Sequence, residues 1–290
     1  MREAELIAVG AGGVRLAVRD FASTSPDAPG LLLHHGLASS SHIWDLMLPR
    51  LMRRFKVVAF DARGHGRSGK PTSGYGFETV VADALAVARA TRLHRPVMVG
   101  HSWGAMVALE LAARHPRVLS GAVLIDGGIA SLGASMDWKT AKQQLAPPQL
   151  RGMPVDEFLG FVRGMLEETL SFTPEVEAIV LSVMRVGRDR TIRANLSRAN
   201  HFRILRAIWE QDPTALHARL RVPTLAILAH ETGDDPTWTR AKRDAAAGLQ
   251  ATRNDGLLHV TWMKGVHDLP LQHPDALARR ILRFADEVVR

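Results

Sequence analysis

The sequence predicts an α/β protein: a mostly parallel, twisted sheet with helices on both faces, plus an all-helical insertion. Two observations carry this reading. Short apolar runs, bounded by glycine and proline, alternate with longer stretches of helical periodicity, as βαβ units require. Between Asp126 and about Asp212 the strand signal vanishes and helical patterns alone remain. With 290 residues, 46% apolar and 23% charged, the chain can bury about three-quarters of the surface its unfolded form exposes and needs no metal or disulfide staple.

Glu5–Val9 and Val14–Val18, split by Gly10–Gly13, read as an opening hairpin. Leu31–His34, Val57–Phe60, Val97–Val99 and Ala122–Ile125 follow as buried strands, because an apolar run without polar alternation suits a strand covered on both faces. Glu78–Arg92 and Trp103–Arg114 are helical stretches between the later ones. Met153–Leu170, Pro174–Val186 and Ile192–Glu210 are the predicted helices of the insertion. Thr224–Leu228 and His259–Met263 resume the sheet around a helix from about Thr237 to Ala247. Pro274 opens a final helix at its first turn, where no intrahelical bond needs its missing N–H. The expected division is a core of residues 1–128 and 211–290 with a lid of residues 129–210. Ligand crevices in open α/β sheets lie beyond the carboxyl ends of the strands, so such a lid would bury a small, mostly apolar substrate.

Composition narrows the chemistry. With no cysteine, disulfides, thiolate nucleophiles, Cys-ligated zinc and iron–sulfur clusters are excluded. Arg2, Glu3 and Glu5 follow Met1 directly, unlike a signal peptide, and the longest uncharged run, Ala28–Trp44, is broken by Pro29, Gly30 and Gly36. A soluble, cytoplasmic protein without a membrane partner is expected. The net charge of +8, from 31 Arg and 6 Lys against 29 acids, raises the question of an anionic polymer. Arg185, Arg188, Arg190, Arg193, Arg198, Arg203 and Arg206 cluster, yet Ile192, Leu196, Phe202, Leu205 and Trp209 interleave with them, as on an amphipathic helix with a solvated basic face. No nucleic-acid motif accompanies them, and no nucleic-acid partner is expected.

Val97-Met98-Val99-Gly100-His101-Ser102-Trp103-Gly104 fits Gly-x-Ser-x-Gly between a strand and a helix. A turn that tight leaves no room for side chains at its glycines and holds the serine hydroxyl out at the top of the sheet. There the backbone N–H of Trp103, at a helix N-terminus, faces any negative charge that develops on a substrate.

Four segments in order resemble the α/β-hydrolase superfamily over nearly the full chain. They are His34-His35-Gly36-Leu37 after a strand, the Asp61–Ser68 loop (D-x-R-G-x-G-x-S), the Gly100–Gly104 turn, and Gly265-Val266-His267-Asp268 after the last strand. The resemblance implies Ser102 as nucleophile, His267 as base, and the N–H groups of Leu37 and Trp103 as an oxyanion hole. It implies a structural role for the Asp61–Ser68 loop, which lacks the Gly-Lys-Ser/Thr ending of a phosphate-binding loop. In the family's order of Ser, acid, His, Asp234 is the expected acid, 132 residues after Ser102 and 33 before His267. It follows the Thr224–Leu228 strand, where family acids usually sit. Asp126 at the end of the preceding strand, Asp235 and Glu231 are the alternatives; Asp235 before Pro236 could simply start a helix.

The implied activity is a carboxylesterase acting by acyl transfer, with a carbon–carbon hydrolase or a non-catalytic ligand receptor of the same fold as alternatives. Epoxide hydrolases and haloalkane dehalogenases use Asp as nucleophile, and the former need two lid tyrosines where this chain has Tyr75 alone. The His-Gly-Gly-Pro-Gly loop of proline iminopeptidases is also missing. No histidine pair has the i, i+4 spacing of a zincin-like site, and neither a metal nor a cofactor is expected. His34, His35 and His101 read as hydrogen-bonded neighbours of the site. The substrate pocket is expected to involve His35, Leu37, Trp44, Trp103 and Met106 from the core, with Trp138, Phe158 and Phe161 from the lid.

Overall fold

The structure is a computed structural model that describes residues 3–21, 28–230, 237–252 and 255–289. Its strands in chain order are β1 (Glu3–Val9), β2 (Arg15–Phe21), β3 (Gly30–His34), β4 (Lys56–Phe60), β5 (Val97–His101), β6 (Gly121–Ile125), β7 (Met184–Val186), β8 (Ile192–Ala194), β9 (Thr224–His230) and β10 (Leu258–Lys264). The α-helices are α1 (Leu48–Leu51), α2 (Phe77–Ala90), α3 (Trp103–Arg114), α4 (Leu132–Ser135), α5 (Trp138–Gln144), α6 (Val155–Leu166), α7 (Pro174–Ser182), α8 (Arg198–Glu210), α9 (Pro213–His217), α10 (Thr237–Thr252), α11 (Leu269–Gln272) and α12 (Pro274–Val288).

β1 and β2 form the opening hairpin, and β2 continues antiparallel onto β4. From β4 onward every pairing is parallel, and the sheet runs β1-β2-β4-β3-β5-β6-β9-β10. Side chains alternate across a strand, so the unbroken apolar runs of the central strands feed two layers. Leu31, Leu33, Val97, Val99, Val123 and Ile125 pack on one face with Phe55, Leu51 of α1, and Leu277 and Ile281 of α12. Leu32, Met98, Ala122 and Leu124 pack on the other with α2 and α3.

The segment between β6 and β9 departs from expectation. It is not all helical: β7 and β8 pair as a short antiparallel ribbon, and the predicted helices over 174–186 and 192–210 shorten to α7 and α8. A tight turn separates the two strands, in which the Gly187 N–H donates to the Thr191 carbonyl at 2.8 Å. Ser197 then caps α8 by accepting from the Asn200 N–H at 3.2 Å, which fixes where that helix begins. Three-residue strands are too short to display a period of two. Arg185 and Arg193 therefore lie on the ribbon, Arg188 and Arg190 on its turn, and Arg198, Arg203 and Arg206 on α8, so these arginines share no single helix face.

Several polar contacts tie this segment to the loops and helices around the sheet. Ser182 Oγ lies 2.6 Å from Ser40 Oγ, Asn200 Nδ2 donates to the Tyr75 hydroxyl at 2.7 Å, and Gln272 Nε2 donates to the Thr169 carbonyl at 2.9 Å. No helix among the described residues is long and apolar enough to cross a membrane.

Candidate active site

Ser102 occupies the turn between β5 and α3 with φ 55° and ψ −118°. This backbone conformation is sparsely populated by L-residues and costs about 1–3 kcal/mol. Its N–H donates to the Ile125 carbonyl at 2.8 Å, locking the turn to β6. The two glycines are required by contact: a Cβ on Gly100 would lie 2.0 Å from the Gly104 carbonyl oxygen, and one on Gly104 would lie 2.1 Å from that of His34. Ala38 (φ 59°) and Asp126 (φ 44°) also hold positive φ without being glycine, so three strained residues gather around this turn.

The loop after β3 is built on neutral histidines. His35 Nε2 accepts from the Ala62 N–H at 3.0 Å, which leaves Nδ1 to donate to the Gly36 carbonyl at 2.8 Å. His65 Nε2 accepts from the Ala38 N–H at 3.2 Å, and its Nδ1 donates to the Arg63 carbonyl at 2.9 Å. These bonds need uncharged rings. Burial first, and neighbouring histidines second, push His35 down to about 3; burial pushes His65 down to about 4. Leu37 is thereby held between two fixed residues and, with Trp103, lines the same cavity as Ser102. At Trp103 the helix begins, and the first N–H groups of a helix have no intrahelical acceptor.

His267 lies in the loop between β10 and α11. Its Nδ1 is 2.6 Å from Asp126 Oδ2. The Asp126 side chain is 1% exposed, whereas 48% of the His267 side chain remains accessible where it lines the cavity. The other Asp126 oxygen accepts from the Ala229 N–H at 2.9 Å and from Lys242 Nζ at 2.8 Å. Burial alone would raise the Asp126 pKa, but the bond and charge of His267 and then of Lys242 outweigh it and bring it down to about 2. For His267, burial opposes protonation, yet the Asp126 hydrogen bond and charge prevail and the imidazole is raised above its ordinary 6.5. His101 Nε2 donates to the His267 carbonyl at 2.9 Å, and Gln272 Oε1 accepts from the Val266 N–H at 2.8 Å, so the loop is clamped on both sides.

The carboxylate on the imidazole is thus Asp126, one of the alternatives weighed from the sequence. The expected acid, Asp234, lies outside the described residues, as do Glu231 and Asp235. Lys242 and Gln272 were not expected. Gln272 could have been sought by its place just after the histidine loop. Lys242 carried no signal, because a lysine on an amphipathic helix reads as solvated.

Ser102, His267 and Asp126 open on a cavity of about 710 Å³. Leu37, Trp103 and Met106 line it, and Ile129, Leu132, Met136, Leu145, Leu205 and Ile208 complete a mostly apolar wall. The other pocket expectations are corrected. His35 is fully buried beneath the loop it supports, and Trp44 is fully buried in the layer with Leu51 and Phe55. Trp138 packs against Trp209, with ring centroids 6.0 Å apart. α6 turns Phe158 inward onto Val155 and Ile192, which leaves Phe161 53% exposed. Among the described residues no cluster of three or more His, Asp or Glu side chains could hold a metal ion.

Residues 29–175 match a family model described as alpha/beta hydrolase fold. A non-heme chloroperoxidase of Streptomyces lividans is 30% identical over 274 residues, 89% of this chain and 92% of that protein. The 2-(acetamidomethylene)succinate hydrolase of Mesorhizobium japonicum is 35% identical over 115 residues, 40% of each chain. With three of the curated relatives, the chain matches only 40–41% of the relative's length. The crystal structure of E-2-(acetamidomethylene)succinate hydrolase superposes with a TM-score of 0.81 at 22% identity, covering 98% of this chain and 100% of that one.

Proposed function

This chain belongs to the alpha/beta hydrolase fold family, and we propose that it is a serine hydrolase cleaving carboxylic esters of small, largely apolar substrates through an acyl-enzyme. The observation that supports this most is the convergence of a strained serine at a strand–helix turn and a carboxylate-bound histidine on one apolar cavity. In this reading Ser102, His267 and Asp126 form the triad.

Ser102 Oγ attacks the ester carbonyl while His267 Nε2 takes its proton. Asp126 accepts the hydrogen bond from Nδ1–H, which fixes the tautomer and stabilises the imidazolium. The oxyanion is met by the N–H groups of Leu37 and Trp103, each worth about 3 kcal/mol of barrier. His267 returns the proton to the leaving oxygen and an alcohol departs. Water, deprotonated by the same histidine, then attacks the acyl-serine; the acid leaves and the proton returns to Ser102. Residues 129–210 act as a lid over a core of residues 1–128 and 211–290, excluding bulk water from the charged intermediate.

The test is a chain-length series of p-nitrophenyl esters. Turnover that peaks with short to medium acyl groups supports the reading. No turnover of any member by the wild-type protein contradicts it.

A further inference from the structure

Lys242 stands behind the proposed triad, on α10. Its side chain is 8% exposed, and its ammonium donates to Asp126 Oδ1 at 2.8 Å and to the Ala229 carbonyl at 2.8 Å. Ala229 also donates its own N–H to the same Oδ1 at 2.9 Å. One carboxylate oxygen is therefore taken by two donors from β9 and α10, and the other is left for His267. Removing a lysine and a carboxylate from water is a poor stability device, since apolar residues of similar size do as well or better. What such a pair fixes is geometry.

We propose that Lys242 is a positioning residue: with the Ala229 N–H it occupies one Asp126 oxygen, leaves the other to His267, and sets a cation behind the carboxylate–imidazole pair. Asp126 alone favours the imidazolium. A second cation on the same carboxylate competes with it, so the histidine keeps a neutral, proton-accepting population nearer neutral pH. Among the described residues, the other groups facing the ring are Asp268, whose charge favours protonation, and His101, 4.9 Å away between centroids and held neutral by burial and then by His267 itself. The positive charge of Lys242 acts on His267 with the sign required.

The catalytic consequence rests on the proposed hydrolase reading, but the electrostatic one does not, and the experiment separates them. The His267 ring is titrated by NMR in the full-length protein, its resonance identified by its loss in His267→Gln. Wild type is compared with Lys242→Met, Lys242→Gln and Lys242→Arg. In the Met and Gln variants the His267 midpoint is expected to rise by about half a unit to one unit, while Arg keeps the wild-type value. Ester kinetics on the same variants are expected to show kcat down about tenfold, KM within twofold, and the acidic limb moved to higher pH. Either neutral variant that folds, by circular dichroism, suffices. A midpoint that stays in place or falls overturns the proposal. Labelling of wild-type Ser102 by a phosphonate bears only on the hydrolase reading, so failure of one leaves the other standing.

Discussion

Asp126 Oδ2 and His267 Nδ1 lie 2.6 Å apart although 141 residues separate them in the chain. The contact exists because β6 and β10 both end at the same rim of the sheet, flanking β9. It places the carboxylate just past the end of β6, beside β5, whose end leads into Ser102, so the proposed nucleophile and acid follow adjacent strands.

Replacing Asp126 by Asn removes the charge and presents an amide to Nδ1, which favours the wrong tautomer. Ester kcat is expected to fall about 10⁴-fold with KM little changed. Asp234→Asn is expected to stay within about threefold of wild type. Steady-state kinetics on both variants decide between the two carboxylates, and the reverse pattern would hand the role to Asp234.

In the proposed mechanism His267 must be neutral to accept the serine proton, so kcat/KM is expected to rise with pH through its ionisation. Because Asp126 raises the imidazole above 6.5, the midpoint of this limb is expected above that value, and Asp126→Asn is expected to lower it. The stability contributions run in opposite directions. The depressed Asp126 contributes stability that is present above its unfolded value and lost as pH falls toward about 2. The raised His267 contributes stability that is present below its unfolded value and lost as pH rises through its folded one. Urea denaturation as a function of pH, wild type against Asp126→Asn, checks the first of these.

Gly104→Ala drives a methyl group to 2.1 Å from the His34 carbonyl oxygen. Backbone, not a flexible side chain, is in the way. A loss of about 3 kcal/mol in unfolding free energy is expected, and a variant as stable as wild type would mean that the turn is not as close as described.

Leu145 lines the cavity and is 42% exposed, so Leu145→Trp should narrow the cavity without disturbing the core. Activity on long acyl chains is expected to fall about tenfold while short chains are unaffected. Phe161→Ala, off the cavity, is expected to leave every chain length within about twofold.

What could be read before the structure follows the range of the interactions involved. Gly100, Ser102 and Gly104 are legible because a steric rule acts within five residues, and the parallel strands because burial on both faces leaves apolar runs. The acid was harder. Asp126 and the 231–236 stretch both follow strand ends, and choosing between them requires knowing which strand end lies under His267, a property of sheet order. Trp44, Trp138, Phe158 and Phe161 went astray for a related reason: large apolar residues mark burial, and nothing local distinguishes a core layer from a cavity wall. The β7–β8 ribbon was hidden by its brevity, and Lys242 by its ordinary place on a helix whose partner comes from another strand.

The central claim, that Ser102 is made nucleophilic by His267, is tested most directly by a fluorophosphonate reacted with the intact protein and located by mass spectrometry of its peptides. One adduct per chain on Ser102 is expected, absent in Ser102→Ala and formed at least about a hundredfold more slowly in His267→Ala. An adduct elsewhere, none at all, or an undiminished rate without His267 would contradict the account.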